Sequence, residues 1–424
     1  MEEFIKFFVE VGRLKTIQRR GWLLRGINNP ESVADHAFRV LILAWVFGKE
    51  RNLNIKRLLK LALVHSLSAV YIDYISPYDK LLELKNRKEI IKRYPALALR
   101  APIDQKGKIA KQRLEEEKKA MEKLTRNLPE PINHEINYLW LEFQQRSSRE
   151  AKFLRALDKI ENLIQAFEYK DKVKEDILTP FLVQIKEFTY DKQLLKFVES
   201  LQIYIKSGKG DVKTKKDRNI IEFLLEIGKL KEIKRKGWVL RGVKDPESVA
   251  SHSFLVAFAS WIFSVSRRLD QEAMIVMSGI HNLFTVDIGD HTPHDVFLEK
   301  LKDIDRVIET FPWIGLKQEK EVIMKEALQK ESSAMEKLFK YLPHYQRHEL
   351  KYLWLEFRTG TSKEGRYARQ VDRIETVLQA MEYHKKDKSV SPTSFWLGLK
   401  ELVDDPFLLR FVEALDRHYY STKL

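Results

Sequence analysis

Apolar residues recur along this chain at helical rather than strand spacing. In AFRVLILAWVFGKE, Ala37 to Glu50, the residues Phe38, Leu41, Ala44, Trp45 and Phe47 share or flank one face. In FLRALDKIENLIQAF, Phe153 to Phe167, the same holds for Leu154, Leu157, Ile160, Ile164 and Phe167. Ahead of the first run, Asn29, Pro30 and Glu31 stand in the order N-cap, first helical residue and first-turn acid, and Asp245, Pro246 and Glu247 repeat that order. No alternating stretch long enough for a useful strand interrupts these patterns, so the expected fold class is all-α.

The pattern occurs twice. RRGWLLRGINNPESVADH, Arg19 to His36, matches RKGWVLRGVKDPESVASH, Arg235 to His252, at an offset of 216 residues. YLWLEF at Tyr138 returns at Tyr352, and ALDKIENLIQAFEY at Ala156 is answered by QVDRIETVLQAMEY at Gln370, both at an offset of 214. A register that slips by two residues over such a length indicates duplication. Between the copies, Lys206 to Asn219 reads KSGKGDVKTKKDRN, basic and almost free of apolar residues, as a solvated linker would be. The expectation is therefore two tandem helical bundles related by pseudo-two-fold symmetry, over residues 1–205 and 220–424, joined by a linker at 206–219. Residues 81–114 form a basic insert that reads as an extra helix pair or as a binding arm, the helix pair being preferred.

Composition narrows the setting. The chain has 424 residues, enough for two cores, with 13 prolines and 16 glycines, few for a turn-rich β fold. It has 0 cysteines, which excludes disulfides and thiolate metal sites and fits a reducing, cytoplasmic location. The most apolar stretch, Phe254 to Val265, is too short to cross a bilayer, and the N-terminus has no signal-peptide pattern, so no membrane partner is expected. A net charge of +15 is compatible with a nucleotide or nucleic acid ligand, although interleaved Lys and Glu on solvated helix faces explain it as simply.

Six of the 11 histidines form three pairs across the copies: His36 with His252, His65 with His281, and His134 with His348. Asp158 and Asp372 lie in a late helix of each copy. Two neutral imidazoles and a carboxylate from separate helices can hold a divalent metal, whose bound water becomes a nucleophile. The competing reading is a satisfied core pair, His65 with Asp158 and His281 with Asp372.

At these residues the sequence resembles the HD-domain metal-dependent phosphohydrolases, in their 5'-deoxynucleotidase branch. The resemblance rests on the GW..R segment, on PESV followed by the first histidine, and on the late aspartate ahead of QA.EY, and it covers nearly all of each copy. It implies a compact helical bundle, a divalent metal (Mn, Co, Zn or Mg), and removal of 5'-phosphate from deoxynucleoside monophosphates. It places metal ligands at His36, His65 and Asp158, and at His252, His281 and Asp372. It also places a phosphate cradle at Arg19 and Trp22 with Arg25 close by, and at Arg235 and Trp238 with Arg241. Surface charge beside a core tryptophan would account for the same residues.

The chain departs from that pattern where the chemistry is done. The aspartate of the His-Asp pair is Ser66 in the first copy and Asn282 in the second, and the glutamate that handles water is Ala69 and Thr285. The aspartate of the G-D-x-x-P segment is Tyr74 in the first copy and survives as Asp290 in the second. The expectation is a catalytically inactive tandem protein that holds metal weakly or not at all and serves as a nucleotide- or anion-binding or interaction module, a monomer whose halves mimic a family homodimer. The alternative is an active phosphohydrolase with an altered metal shell.

Overall fold

The computed structural model describes residues 1–73, 83–93, 103–173, 176–291 and 317–420. Tyr74 and much of the 81–114 insert lie outside the described residues. Among the described residues there is no strand, only two isolated bridges, Gln18 with Ser32 and Lys234 with Ser248. The longer helices run in the order α1 (Glu2–Gly12), α2 (Val33–Gly48), α3 (Ile55–Val64), α4 (Ile103–Thr125), α5 (Ile132–Gln145), α6 (Arg149–Tyr169), α7 (Thr179–Phe188) and α8 (Lys192–Ser207). They continue with α9 (Lys215–Gly228), α10 (Val249–Ser264), α11 (Gln271–Ile280), α12 (Lys317–Phe339), α13 (His344–Thr359), α14 (Lys363–Lys386), α15 (Thr393–Leu402) and α16 (Pro406–Tyr420). The second copy thus repeats the elements of the first, and the all-α expectation holds.

The central helix of each copy starts later than its sequence suggests. Ser32, not Asn29, is the N-cap of α2: its hydroxyl accepts from the Asp35 amide at 3.1 Å, and the Asp35 carboxylate accepts from the Ser32 amide at 2.9 Å. Asn29 instead takes a left-handed conformation, φ 49°. The chain turns there because Glu31 is drawn inward, its amide donating to the Tyr169 hydroxyl at 2.8 Å. Ser248 caps α10 in the same way, with Ser251 in place of the aspartate. Every residue of α2 and of α10 is buried, so each forms the axis of its bundle; the polar side chains carried inside, among them His36 and Arg39 in α2 and His252 in α10, are those that need partners there.

The compact units are Arg13–Leu225, and Met1–Gly12 together with Glu226–Leu424. This differs from a division at 205 and 220, because the first helix of each repeat is packed in the unit built by the other. In α1, Phe4, Ile5, Phe7, Phe8 and Val11 are buried, and the Phe8 ring lies 4.9 Å from Phe263 and 6.3 Å from Phe411. In α9, Asp217 accepts from the Ser200 hydroxyl and Glu222 from the Tyr204 hydroxyl, each at 2.7 Å, while the Lys216 ammonium donates to Glu50 at 2.6 Å. Helix α9 begins at Lys215, so the last five residues of the expected linker are helical and only residues 208–214 connect α8 to it.

Candidate metal centre

In the unit Arg13–Leu225, His36 sits in the first turn of α2, His65 is the residue that ends α3, and Asp158 lies in the middle of α6. All three are buried, and one ligand atom from each lies within 4.8 Å of the others. The His36 Nε2 is 3.2 Å from Asp158 Oδ1 and 3.4 Å from His65 Nε2. The direct partner of Asp158 is therefore His36, not His65, because α2 crosses α6 at this level. In the other unit His252 Nε2 lies 3.0 Å from Asp372 Oδ1, and His281 Nε2 lies 3.6 Å from the same oxygen.

The ring orientations follow from what backs them. His65 Nδ1 is 2.7 Å from the Ala62 carbonyl, and His281 Nδ1 is 2.6 Å from the Ser278 carbonyl. A carbonyl oxygen only accepts, so Nδ1 carries the proton and Nε2 presents its lone pair to the cluster when the ring is neutral. His36 Nδ1 is held by Glu161 and His252 Nδ1 by Glu375, the latter at 2.6 Å. Both acids come one helical turn after the aspartate, so one face of α6 or α14 clasps the histidine from two sides. Glu161 is itself fixed by the fully buried Arg39, whose Nε donates to it at 3.1 Å; Leu255 occupies that position in the second copy.

These partners set the charges. Burial and the neighbouring Arg19 press the His36 imidazolium to lose its proton, but Glu161 and Asp158 outweigh them and raise its pKa. His252 is raised by Glu375 and Asp372 against burial and Arg235. Burial first, then the adjacent His36, lowers His65 to about 4. Burial lowers His281 as well. Asp158 and Asp372 lie well below the ordinary carboxylate value despite burial, Asp158 because of Lys159 and His36, and Asp372 because of its two histidines.

The donor set suits a divalent cation that accepts nitrogen and oxygen ligands: two imidazoles and a carboxylate converge, and the far nitrogen of each ring is backed by an acceptor. What stands beside the second histidine does not extend that set. In the second copy the Asn282 amide donates to His281 Nε2 at 2.7 Å, and the Thr285 hydroxyl turns back to the Asn282 carbonyl at 2.9 Å. In the first copy Ser66 precedes a short turn over Leu67–Val70, and Ala69 lies inside that turn.

The expected phosphate residues divide. Arg19 lies beside the cluster, 3.2 Å from His36 Nδ1, and donates to Glu31 at 2.9 Å and to Asn162 at 2.8 Å. Arg235 holds the equivalent place, with Nε 3.6 Å from Asp290, while its Nη1 is buried without a hydrogen-bond partner among the described residues. Trp22 and Trp238 are core residues whose indole N–H groups donate to Glu31 and Glu247 at 3.0 and 2.8 Å. Arg25 and Arg241 turn back to the Gly21 and Gly237 carbonyls and lie over the Phe181 and Phe395 rings. His134 and His348 stand exposed on α5 and α13.

Sequence reasoning reads Glu31 and Glu247 as first-turn acids only, and it does not pick out Glu161, Asn162 and Tyr169, nor Glu375 and Tyr383. A signal was present: the acids of DKIE and DRIE and the glutamate of both PESV segments recur in the two copies at chemically matched positions.

The sequence pattern that defines the HD domain matches residues 11–194 and again residues 227–397. The chain belongs to the HD-domain family. It is similar to 5'-deoxynucleotidase HDDC2 of Bos taurus, with 37% identity over 168 residues, 39% of this chain and 68% of the relative. The Danio rerio protein of the same name is 33% identical over 202 residues, 47% of this chain and 87% of the relative. Among solved structures, a conserved hypothetical protein from Pyrococcus furiosus aligns over 47% of this chain and 99% of its own with 24% identity and a TM-score of 0.35. No described helix of this HD-domain chain is long and apolar enough to cross a membrane.

Proposed function

We propose that this tandem HD protein binds nucleoside monophosphates without hydrolysing them. The observation that carries the reading is the Asn282 amide seated on His281 Nε2: the lone pair a metal would use is already accepting a hydrogen bond. His252, His281 and Asp372 are the residues that would hold a divalent ion, with His36, His65 and Asp158 their counterparts. A bound ion would supply Lewis acidity and an acidified water. This chain's own contribution to such chemistry is reduced, because Ser66 and Asn282 bring no anionic ligand, and neither Ala69 nor Thr285 can take a proton from water.

The anion is received by Arg235, whose buried Nη1 has no hydrogen-bond partner among the described residues, whereas Arg19 is already committed to Glu31 and Asn162. Similarity to the 5'-deoxynucleotidases supports a deoxynucleoside monophosphate as the ligand class. Calorimetry with such a nucleotide tests the reading: Arg235→Ala weakens binding at least tenfold, whereas Arg25→Ala leaves it unchanged. Equal affinity in the Arg235 variant would remove Arg235 from the site.

One observation favours a second reading, that of a working phosphohydrolase with an altered metal shell. Both copies retain the two Nε2 atoms and the carboxylate, with carbonyl or carboxylate backing at each Nδ1.

A further inference from the structure

A second pair of histidines lies apart from the buried clusters. His344 and His348 open α13 as HYQRH, four residues apart on one face, and both are exposed. Their Nε2 atoms approach to 3.1 Å, with ring centroids 4.3 Å apart. Two metal–nitrogen bonds of about 2.0–2.1 Å that span this gap enclose an angle of about 95–102°, between square-planar and tetrahedral values. Without an ion the two nitrogens share a hydrogen bond, so a cation has to displace one proton, but the gap between them is one that a single ion spans.

The other repeat carries a related pair at the matching positions. There Glu130 and His134, also four apart and exposed, bring a carboxylate oxygen to 3.1 Å from Nε2. The positions are therefore ligand-bearing in both copies, but only the second offers two imidazoles, the stronger pair for late first-row cations.

We propose that His344 and His348 form a surface chelate for a divalent transition ion of the Ni²⁺, Cu²⁺ or Zn²⁺ class, independent of the buried centres and of any nucleotide. Successive turns of a helix place residues four apart side by side, so two ligands here cost no chain rearrangement. The remaining coordination positions face solvent and are filled by water or an incoming ligand. The glutamate that follows the first histidine in hydrolytic H-E-x-x-H helices is Tyr345 here, so the site binds and does not hydrolyse. Closing the chelate ties the first turn of α13, the helix that also places Phe357 4.8 Å from the His281 ring.

The test is titration of the untagged full chain with Ni²⁺ alone at pH 7.5, where free imidazole is largely neutral. It is followed by calorimetry and by thermal melting, in wild type, His348→Ala, His344→Ala and His281→Ala. The expected result is a class of Ni²⁺ sites that His348→Ala and His344→Ala each weaken at least tenfold and His281→Ala leaves intact, with a Ni²⁺-dependent rise in melting temperature lost in the same two variants. Both residues are exposed, so the variants fold, and unchanged melting without metal verifies it. Wild-type Ni²⁺ affinity and stoichiometry in both variants would overturn the proposal, as would loss of the site in His281→Ala.

Discussion

The side-chain amide of Asn282 donates to His281 Nε2 at 2.7 Å, and the Ser278 carbonyl fixes Nδ1 of the same ring as the protonated nitrogen. A neutral imidazole has one lone pair, and here an amide proton occupies it. In the HD pattern this neighbour is an aspartate, which would add a ligand; asparagine caps the ligand beside it.

Replacing that residue should reverse the effect. Asn282→Asp removes the amide donor and adds an anionic oxygen, and calorimetry with Mn²⁺ or Co²⁺ should show affinity rising by tenfold or more. Adding Thr285→Glu should cost stability, because Thr285 is fully buried and a longer side chain there overpacks by about 1–3 kcal/mol. If Asn282→Asp binds these ions no better than wild type, the amide is not what limits the site.

The two copies should differ in how much their second acid matters. Glu161→Gln removes one of the two carboxylates that hold the fully buried Arg39, leaving Glu168 at 2.7 Å from Nη1, and the loss of that charge-assisted bond should cost about 1.5–3 kcal/mol. In the second copy Leu255 stands where the first has Arg39, so Glu375→Gln should cost less. Chemical denaturation of the two variants decides it; equal losses would mean that the arginine contributes nothing to the difference.

Much of this was legible beforehand, and the rest for reasons that can be named. The histidines and late aspartates were readable because imidazole and carboxylate recur at fixed spacing on apolar helices, and the structure brings both triads together. Trp22 and Arg25 show what proximity in sequence to Arg19 leaves open, namely direction: in a short helical turn the indole points into the core and Arg25 folds back on Gly21. The exchange of α1 and α9 was invisible because an amphipathic pattern states that a face will be buried, never against which bundle. The helix start at Ser32 was missed because Asn29-Pro30-Glu31 imitates a cap, while the inward pull on Glu31 is a tertiary effect.

Acid should erase one local contribution to stability. Asp191 caps α8 through the Gln193 and Leu194 amides at 2.9 and 2.8 Å and pairs with Arg51 at 3.1 Å. Burial pushes its pKa up, but Arg51 and the two amides win and hold it below the ordinary carboxylate value. A depressed carboxyl stabilises the fold above its unfolded pKa and loses that contribution as pH falls through the folded value. Asp191→Ala should therefore be less stable by about 1 kcal/mol at pH 7. The gap should close as pH falls below about 3.9, the unfolded value. A gap independent of pH, in denaturant melts across that range, would rule out the ionised cap.

The most direct measurement is phosphate release from deoxynucleoside monophosphates by the unmodified full chain, with Mn²⁺ or Co²⁺ added in excess. The expected result is no metal-stimulated release above the level given by a His281→Ala, Asp372→Ala double variant, alongside nucleotide binding that calorimetry detects and Arg235→Ala weakens. Robust turnover by the wild-type chain, abolished by either His281→Ala or Asp372→Ala alone, would contradict the account and establish a working site built without the usual aspartate and glutamate.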